Sequence, residues 1–385
     1  MRILLVVTRF PFPARRGDQV RAVQLMELLG DEHQVTLLAP RPPRPAARPP
    51  APARLVTYRP RPGARSLVGA VGGLPFETAL FGGADLRRRL RRLAAEADVV
   101  VLQTARLAGH AGDVGSTPLV VDFIDSLALN LGRRAVLDRP WLRRLWRHEA
   151  ARLARAEARL MAAARRAAVV CARDRDRLAG GLRPADRLRV EVIPIAVAAD
   201  PGSGEAAAGP PVVAFTGNLG YFVNADAARW LLREVWPQVH VRRPDARLLV
   251  AGDRPGPSLR RAARLPGVEL RAGPQELRPL LAGATVAVAP LRCGSGQPMK
   301  VLEAWAAGVP VLSTAWGLAG TTGQPGVEAE VAADPGDWVE TILRLLDDGA
   351  LRAQLAAAGR RRLLADYSPE VVAAAWRDLL AAAVS

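Results

Sequence analysis

Gly294-Ser-Gly-Gln-Pro-Met-Lys300-Val-Leu-Glu303-Ala-Trp-Ala-Ala-Gly308-Val-Pro310 reads as a glycine-rich loop, one short helix, a glycine stop and a new strand. A loop that runs into a helix is a ready anion site, because free backbone N–H groups and the positive end of the helix dipole converge there. Lys300 is the only lysine among the 54 lysines and arginines of the chain. In the first helical turn its charge opposes the dipole unless an anion is near. Arginine would serve an ordinary surface as well, so a compact ammonium at this point indicates a specific contact. Two readings stand side by side: phosphate binding at the helix start, or an i,i+3 ion pair of Lys300 with Glu303, worth a few tenths of a kcal/mol.

Working outward, the pattern is α/β. Ile3–Thr8 is a continuous apolar run, the mark of a buried parallel strand. A loop over Arg9–Asp18, a helix over Gln19–Leu29 and a strand at Gln34–Leu38 complete a βαβ opening, without G-x-G-x-x-G after the first strand. Pro40–Pro62 is rich in proline and arginine and reads as an exposed polyproline-like loop. Val99–Gln103 and Leu119–Phe123 are further strands, the second ending in Asp122-Phe-Ile-Asp125. Side chains just past such strand ends line ligand crevices. Trp141–Ala168 is a long basic helical stretch, and strands follow at Ala168–Ala172 and Arg189–Pro194.

Residues 196–211 lose all periodicity and form the linker. A second series follows: strands at Val212–Thr216, Arg247–Ala251, Val268–Arg271, Val286–Ala289, Pro310–Ser313 and Glu328–Val331. The helices between them include Ala225–Trp236, a short one at Glu276–Leu281, Asp337–Asp347 and Leu351–Ala365. Ser368-Pro-Glu caps a last helix over Tyr367–Ala383. The expected architecture is two doubly wound, Rossmann-like domains facing each other across a cleft. The first spans 1–195 and the second 212–366, and residues 367–385 form a terminal helix. A length of 385 residues agrees, since single cores stop growing at roughly 250–300 residues.

The formal charge of +17 favours anionic partners, although an excess of alanine, arginine, proline and glycine with one lysine is also what GC-rich coding produces. Cys171 and Cys293 are far apart, with no metal-ligand spacing and no disulfide framework. No stretch reaches the ~20 apolar residues of a membrane span, and the start lacks a signal-peptide core. The expected location is cytoplasmic. Trp141-Leu-Arg-Arg-Leu-Trp-Arg-His148 mixes tryptophan, leucine and arginine at helical spacing, which suits either peripheral contact with an anionic membrane or an ordinary core-facing stripe.

Three post-strand loops of the second domain can approach a ligand: Gly217-Asn218-Leu-Gly-Tyr221, Gly252-Asp253, and Pro290–Met299 with Arg292 as a fork for phosphate. Glu303 lies a turn beyond Lys300 and can accept from the paired hydroxyls of a ribose. Together these describe a nucleoside diphosphate site.

The combination resembles the large retaining group of GT-B glycosyltransferases, of the family 4-like type that builds bacterial exopolysaccharides and glycolipids. The resemblance rests on Pro11–Arg21, Phe215-Thr-Gly-Asn-Leu-Gly-Tyr221, Val250-Ala-Gly-Asp253, Ala289-Pro-Leu-Arg292 and above all Lys300–Val311. It covers nearly the whole chain, and in that fold the last helix crosses back to the first domain. It implies a nucleotide-sugar donor on the second domain, an acceptor on the first, no metal and no cofactor, and retention of configuration. Gly17, Gly217, Asn218, Arg292, Gly294, Gly296, Lys300 and Glu303 would bind donor. Asp18, Arg21 and Asp125 would contact sugar or acceptor. Lys300, Glu303 and Asp122 would be catalytic, although Asp122 and Asp125 also suit a helix cap or surface turn. His110 is a lesser candidate.

The chain departs from the family pattern in three places. Ser295 stands where the first of two paired glutamates would fall, Met299 where an asparagine is common, and Ile193-Pro-Ile-Ala-Val197 replaces Ile-Pro-Asn-Gly-Val. These changes leave altered donor choice or weakened activity open. A transferase of this type would close its domains around donor and acceptor, with Lys300, Arg292 and helix-start amides stabilising the departing diphosphate. The acceptor would be a glycan, a lipid-linked glycan or another hydroxyl compound. The alternatives are a nucleotide-sugar epimerase and a catalytically silent nucleotide-binding or partner subunit. Nucleic acid is suggested only by charge, without a recognised binding motif.

Overall fold

The computed structural model describes residues 1–14, 16–42, 53–60, 75–137, 140–200, 209–274 and 277–385. They divide into two compact units. The first comprises Met1–Ala196, Ser295–Gln297 and Pro369–Ser385; the second comprises Val197–Gly294 and Pro298–Ser368.

The first unit is built on seven strands: β1 (Arg2–Val6), β2 (Gln34–Pro40), β3 (Arg54–Tyr58), β4 (Val99–Gln103), β5 (Leu119–Ile124), β6 (Arg166–Val169) and β7 (Val190–Val192). Their order is β3-β2-β1-β4-β5-β6-β7, and each neighbouring pair is parallel. Strand alternation explains the apolar runs. Leu4 and Val6 enter one core layer with Leu102, Val121 and Phe123, while Ile3, Leu5 and Val7 enter the other with Val101 and Val120. The final helix, Pro369–Val384, adds Val372, Trp376, Leu379, Leu380 and Ala383 to that second layer.

The second unit has six strands: β8 (Val212–Thr216), β9 (Arg247–Gly252), β10 (Val268–Ala272), β11 (Val286–Ala289), β12 (Val311–Ser313) and β13 (Glu330–Val331). Their order is β10-β9-β8-β11-β12-β13, again all parallel. Val213, Phe215, Leu248, Val250 and Val288 fill one layer; Ala214, Ala287, Ala289, Val311 and Trp305 fill the other. The strand order reverses between β1 and β4 in one sheet and between β8 and β11 in the other. Open parallel sheets bind ligands at such switch points, beyond the strands' C-terminal ends.

Several elements differ from the sequence reading. The stretch expected as loop over Pro40–Pro62 contains β3, whose half-polar residues suit an edge strand; residues 43–52 and 61–62 lie outside the described residues. The helix expected to reach Ala168 runs over Pro140–Ala163, and β6 starts at Arg166. The helix expected over Ala225–Trp236 runs over Phe222–Trp230, widens into a π turn at Leu231–Val235 and resumes at Trp236. Trp236 N–H donates to the carbonyl of Leu231, five residues back. Pro237 follows and has no N–H to continue the ordinary ladder. The short helix expected from Glu276 spans Arg278–Ala282, and Glu276 itself lies outside the described residues. Of the linker expected at 196–211, Val197–Asp200 belong to the second unit and 201–208 lie outside the described residues.

Candidate functional site

In the second unit the loops after β8 and β11 meet at the switch point. Two helices begin there, Phe222–Trp230 and Met299–Ala306, and neither has a side-chain cap. Gly217 turns the chain out of β8 at φ 143°, and a Cβ there would lie 3.0 Å from Asn224 Nδ2 and 3.4 Å from Lys300 Nζ. Gly252, at the end of β9, approaches closer still: its Cβ would fall 1.7 Å from the carbonyl oxygen of Gly217. Backbone therefore packs on backbone beneath the site, and only glycine fits. Asn218 closes the turn with its own side chain, whose Oδ1 accepts from the N–H of Gly220 at 3.1 Å.

Lys300 is buried at this junction. Nζ donates to Asn224 Oδ1 at 2.6 Å and lies 4.6 Å from the centroid of the Phe215 ring. Among the described residues it forms no ion pair, so the i,i+3 pairing with Glu303 is not made. Burial pulls the Lys300 amine down to about 7, with Glu303 opposing that pull. Glu303, half-buried one turn on, is pushed above the ordinary carboxylate range by burial, against the pull of Lys300 and Arg278. Once protonated, this amine is a cation at a helix N-terminus in a dry setting, where both the dipole and desolvation disfavour it. An anion placed against Nζ would relieve both costs.

The other expected donor contacts divide. Arg292 is not a free fork: Nε and Nη2 hold Asp226 at 3.1 and 2.8 Å, and the guanidinium sits 6.0 Å from the Trp230 ring. Any phosphate would compete with that carboxylate. Gly294 turns at φ 111° against the methyls of Val223. Gly296 groups with the first unit, where its N–H donates to Asp174 Oδ2 at 2.7 Å and its carbonyl accepts from Arg173. That amide is taken up by a carboxylate of the chain, with which a phosphate would have to compete.

In the first unit, Asp125 Oδ2 accepts from Ser295 Oγ at 2.6 Å. Burial, helped by Asp174, pushes the Asp125 carboxyl up to about 6. Gln297 exchanges two bonds with the backbone of Ile195, at 2.9 and 3.0 Å. Glu157, raised to about 7 chiefly by burial, accepts from Ser126 Oγ and the N–H of Ala128. Residues Ser295–Gln297 are therefore held by polar groups at the ends of β5, β6 and β7.

Asp122 and Arg21 are both sealed off from solvent, at 0% and 1% exposure. Arg21 Nε donates to Asp122 Oδ2 at 3.2 Å, its Nη atoms donate to the carbonyls of Ile193 and Pro194, and its plane lies 4.8 Å from the Trp376 ring. Asp122 has no exposed surface in this arrangement, and the pair ties helix Gly17–Gly30 to β5 and the final helix. Gly17 opens that helix without a side-chain cap, and Asp18 in its first turn pairs with Arg9. His110 is buried against Asp113, its Nδ1 2.9 Å from Oδ2; burial holds its pKa below the usual histidine value, against the pull of Asp113. Among the described residues no group of three or more His, Cys, Asp or Glu is placed to hold a metal ion.

The sequence reading missed Asn224, Asp174, Gln297 and Trp376. Asn224 carried a faint signal, being polar in the first turn of a helix that follows a glycine loop. The others are recognisable only through their partners.

Residues 210–348 match the family of group 1 glycosyl transferases. Over 161 residues the chain is 34% identical to the GDP-mannose-dependent monoacylated alpha-(1-6)-phosphatidylinositol monomannoside mannosyltransferase of Corynebacterium glutamicum, a match covering 39% of this chain and 42% of that protein. The chain thus spans less than half the length of the curated relative it matches. Among solved structures it is similar to Anabaena HepE in complex with UDP and glucose (TM-score 0.70, 14% identity, 99% of both chains). It is similar also to sucrose-phosphate synthase of Thermosynechococcus elongatus (TM-score 0.73, 17% identity, 99% of this chain and 100% of that one). The fold is GT-B, two Rossmann-like units in one chain.

Proposed function

We propose that the protein is a glycosyltransferase that moves a hexose-type sugar from a nucleotide-sugar donor to a hydroxyl of a glycan, a glycolipid or a related acceptor. The observation that carries this reading is the buried Lys300 amine, held by Asn224 at the β8/β11 switch point beside uncapped helix starts. Lys300 takes the charge of the departing diphosphate, and Glu303 accepts from the ribose hydroxyls. Transfer proceeds with retention and without a metal, as the resemblance to the retaining group implies; among the described residues none is singled out as a covalent nucleophile. The HepE structure contains UDP and glucose, whereas the curated relative is named for GDP-mannose. Both point to a nucleoside diphosphate sugar and leave the base to experiment. A lipid-linked acceptor would bring the protein to the inner face of the membrane.

A second reading has a specific observation behind it. Arg292 is engaged by Asp226 and the Gly296 amide by Asp174, which leaves fewer groups to stabilise a departing diphosphate and favours a catalytically silent subunit. Thermal shift with UDP-, GDP-, ADP- and dTDP-sugars separates the cases, comparing wild type, Lys300→Ala and Glu303→Ala. A selective shift lost in both variants, with sugar released or transferred on prolonged incubation, supports the transferase. A shift without turnover supports the silent subunit, and no shift with any donor sinks both.

A further inference from the structure

Helices Leu127–Leu137 and Pro140–Ala163 pack against each other in the first unit. Around their connection large apolar side chains face solvent: Val136 is 63% exposed, Trp141 69% and Leu145 54%. Trp141 and Leu145 are i and i+4, so they share one face of the long helix. The same helix is anchored elsewhere by buried Glu149, Leu153, Ala156, Leu160 and Met161. The exposure therefore does not come from a loosely attached element. Phe76, 54% exposed, lies beside it, its backbone N–H donating to Glu149. Single exposed apolar residues such as Leu188 and Val241 are ordinary, but a group of them is not.

Charge is concentrated on the same surface. Arg143, Arg144, Arg147 and His148 are exposed, and residues 140–148 contain no acid. Among the described residues no carboxylate pairs with Arg144 or Arg147. These cations occupy the first turns of a helix, where the dipole disfavours them. Nearby, Arg134 stacks on Trp146 at 4.2 Å. Among the described residues the surface thus lacks two things at once, an apolar phase for Trp141 and Leu145 and a carboxylate partner for Arg144 and Arg147.

We propose that this face, the start of helix Pro140–Ala163 with Val136 and Phe76, docks the protein peripherally on an anionic membrane. A bilayer interface supplies both deficits: the aromatic and aliphatic side chains enter the headgroup boundary while arginines meet lipid phosphates. Nucleic acid would satisfy the arginines but leave the apolar group in water. A second copy meeting this one about a two-fold axis would bring like charges together. The inference stands apart from the proposed transfer reaction, since it uses no residue of the Lys300 site.

The test is co-sedimentation of the full chain with phosphatidylcholine vesicles, with and without phosphatidylglycerol, for wild type, Trp141→Ser/Leu145→Ser and Arg144→Ala/Arg147→Ala. All substituted side chains are exposed, and thermal melts check that each variant is folded. Wild type is expected to bind the anionic vesicles only. Each arginine should contribute about fivefold in affinity, so the double arginine variant loses on the order of twentyfold, and binding weakens with salt. The apolar variant should lose binding even at low salt. Absence of wild-type binding, or binding untouched by both variants, overturns the proposal. So does retention on duplex DNA, or self-association, that the same substitutions abolish while vesicles are ignored. Nucleotide-sugar thermal shift should be unchanged in both variants, so a failed donor site and a failed membrane site give different results.

Discussion

Lys300 and Asn224 meet across the switch point of the second sheet: the lysine belongs to the helix after β11, the asparagine to the helix after β8, and 2.6 Å separates Nζ from Oδ1. The bond aims the only lysine of the chain at the place where topology puts a ligand. It is made to a neutral acceptor, which fixes direction without neutralising charge.

Asn224→Asp tests that distinction. A carboxylate in the same place would hold Lys300 as an ion pair and compete with diphosphate. Donor affinity should fall at least tenfold, while Asn224→Ala, which removes direction only, should cost less. Lys300→Ala should abolish measurable transfer. Calorimetric titration with the preferred nucleoside diphosphate reads the binding terms, and equal affinity in Asn224→Asp and wild type would refute the assignment.

The depressed Lys300 amine gives donor binding a pH signature. Below about 7 the amine is already protonated; above it a diphosphate must recruit a proton, so affinity should fall by up to tenfold per pH unit. Proton uptake, measured calorimetrically at pH 8 in buffers of different ionisation heat, should vanish in Lys300→Ala. Stability of the free protein runs the other way. The unfolded amine titrates near 10.5, so the unfolded state holds more protons between about 7 and 10.5. This group's contribution therefore rises with pH across that window and is lost as pH falls to about 7. Glu303, raised by burial, contributes in the opposite sense, losing stability as pH rises through its folded value.

Breaking the sealed Arg21–Asp122 pair should be costly. Asp122→Asn keeps the shape but strands a guanidinium with 1% exposure, a loss of about 3–5 kcal/mol. Adding Arg21→Met removes the stranded charge and should recover part of that loss. Denaturant melts of the two single variants and the double variant measure the coupling; additive losses would show that the pair does not act as one.

Gly252→Ala should disturb the donor loop at its base, because the new methyl would overlap the Gly217 carbonyl. We expect a stability loss of about 1–3 kcal/mol with weakened donor binding. Gly256→Ala is the control, since nothing lies within 4 Å of a Cβ there. Chemical denaturation together with thermal shift in the presence of donor compares the two; similar behaviour would argue against the close approach.

Much of this organisation was legible in the chain. Buried parallel strands are written as unbroken apolar runs, so β4, β8 and β11 stand where Val99–Gln103, Val212–Thr216 and Val286–Ala289 predict them. Arg54–Tyr58 was hidden because an edge strand beside prolines carries no such run. Helix Ala84–Ala95 was overlooked although Leu86, Leu90 and Leu93 mark its buried stripe, because arginines dominate its composition. Lys300 and Glu303 declared themselves through local spacing. The partners of Arg292, Gly296 and Arg21 did not, since Asp226, Asp174 and Trp376 lie 66, 122 and 355 positions away in sequence, distances at which no periodicity speaks.

A chain with a single lysine is also a chain with a single side-chain amine to modify. Burial pulls that amine down to about 7, which raises the share of the unprotonated form that acylating reagents attack. The protein then carries one lysine amine to acylate, set where the ligand is expected. Occupancy of the site becomes a mass difference on one peptide, read with and without nucleotide and with no substitution introduced.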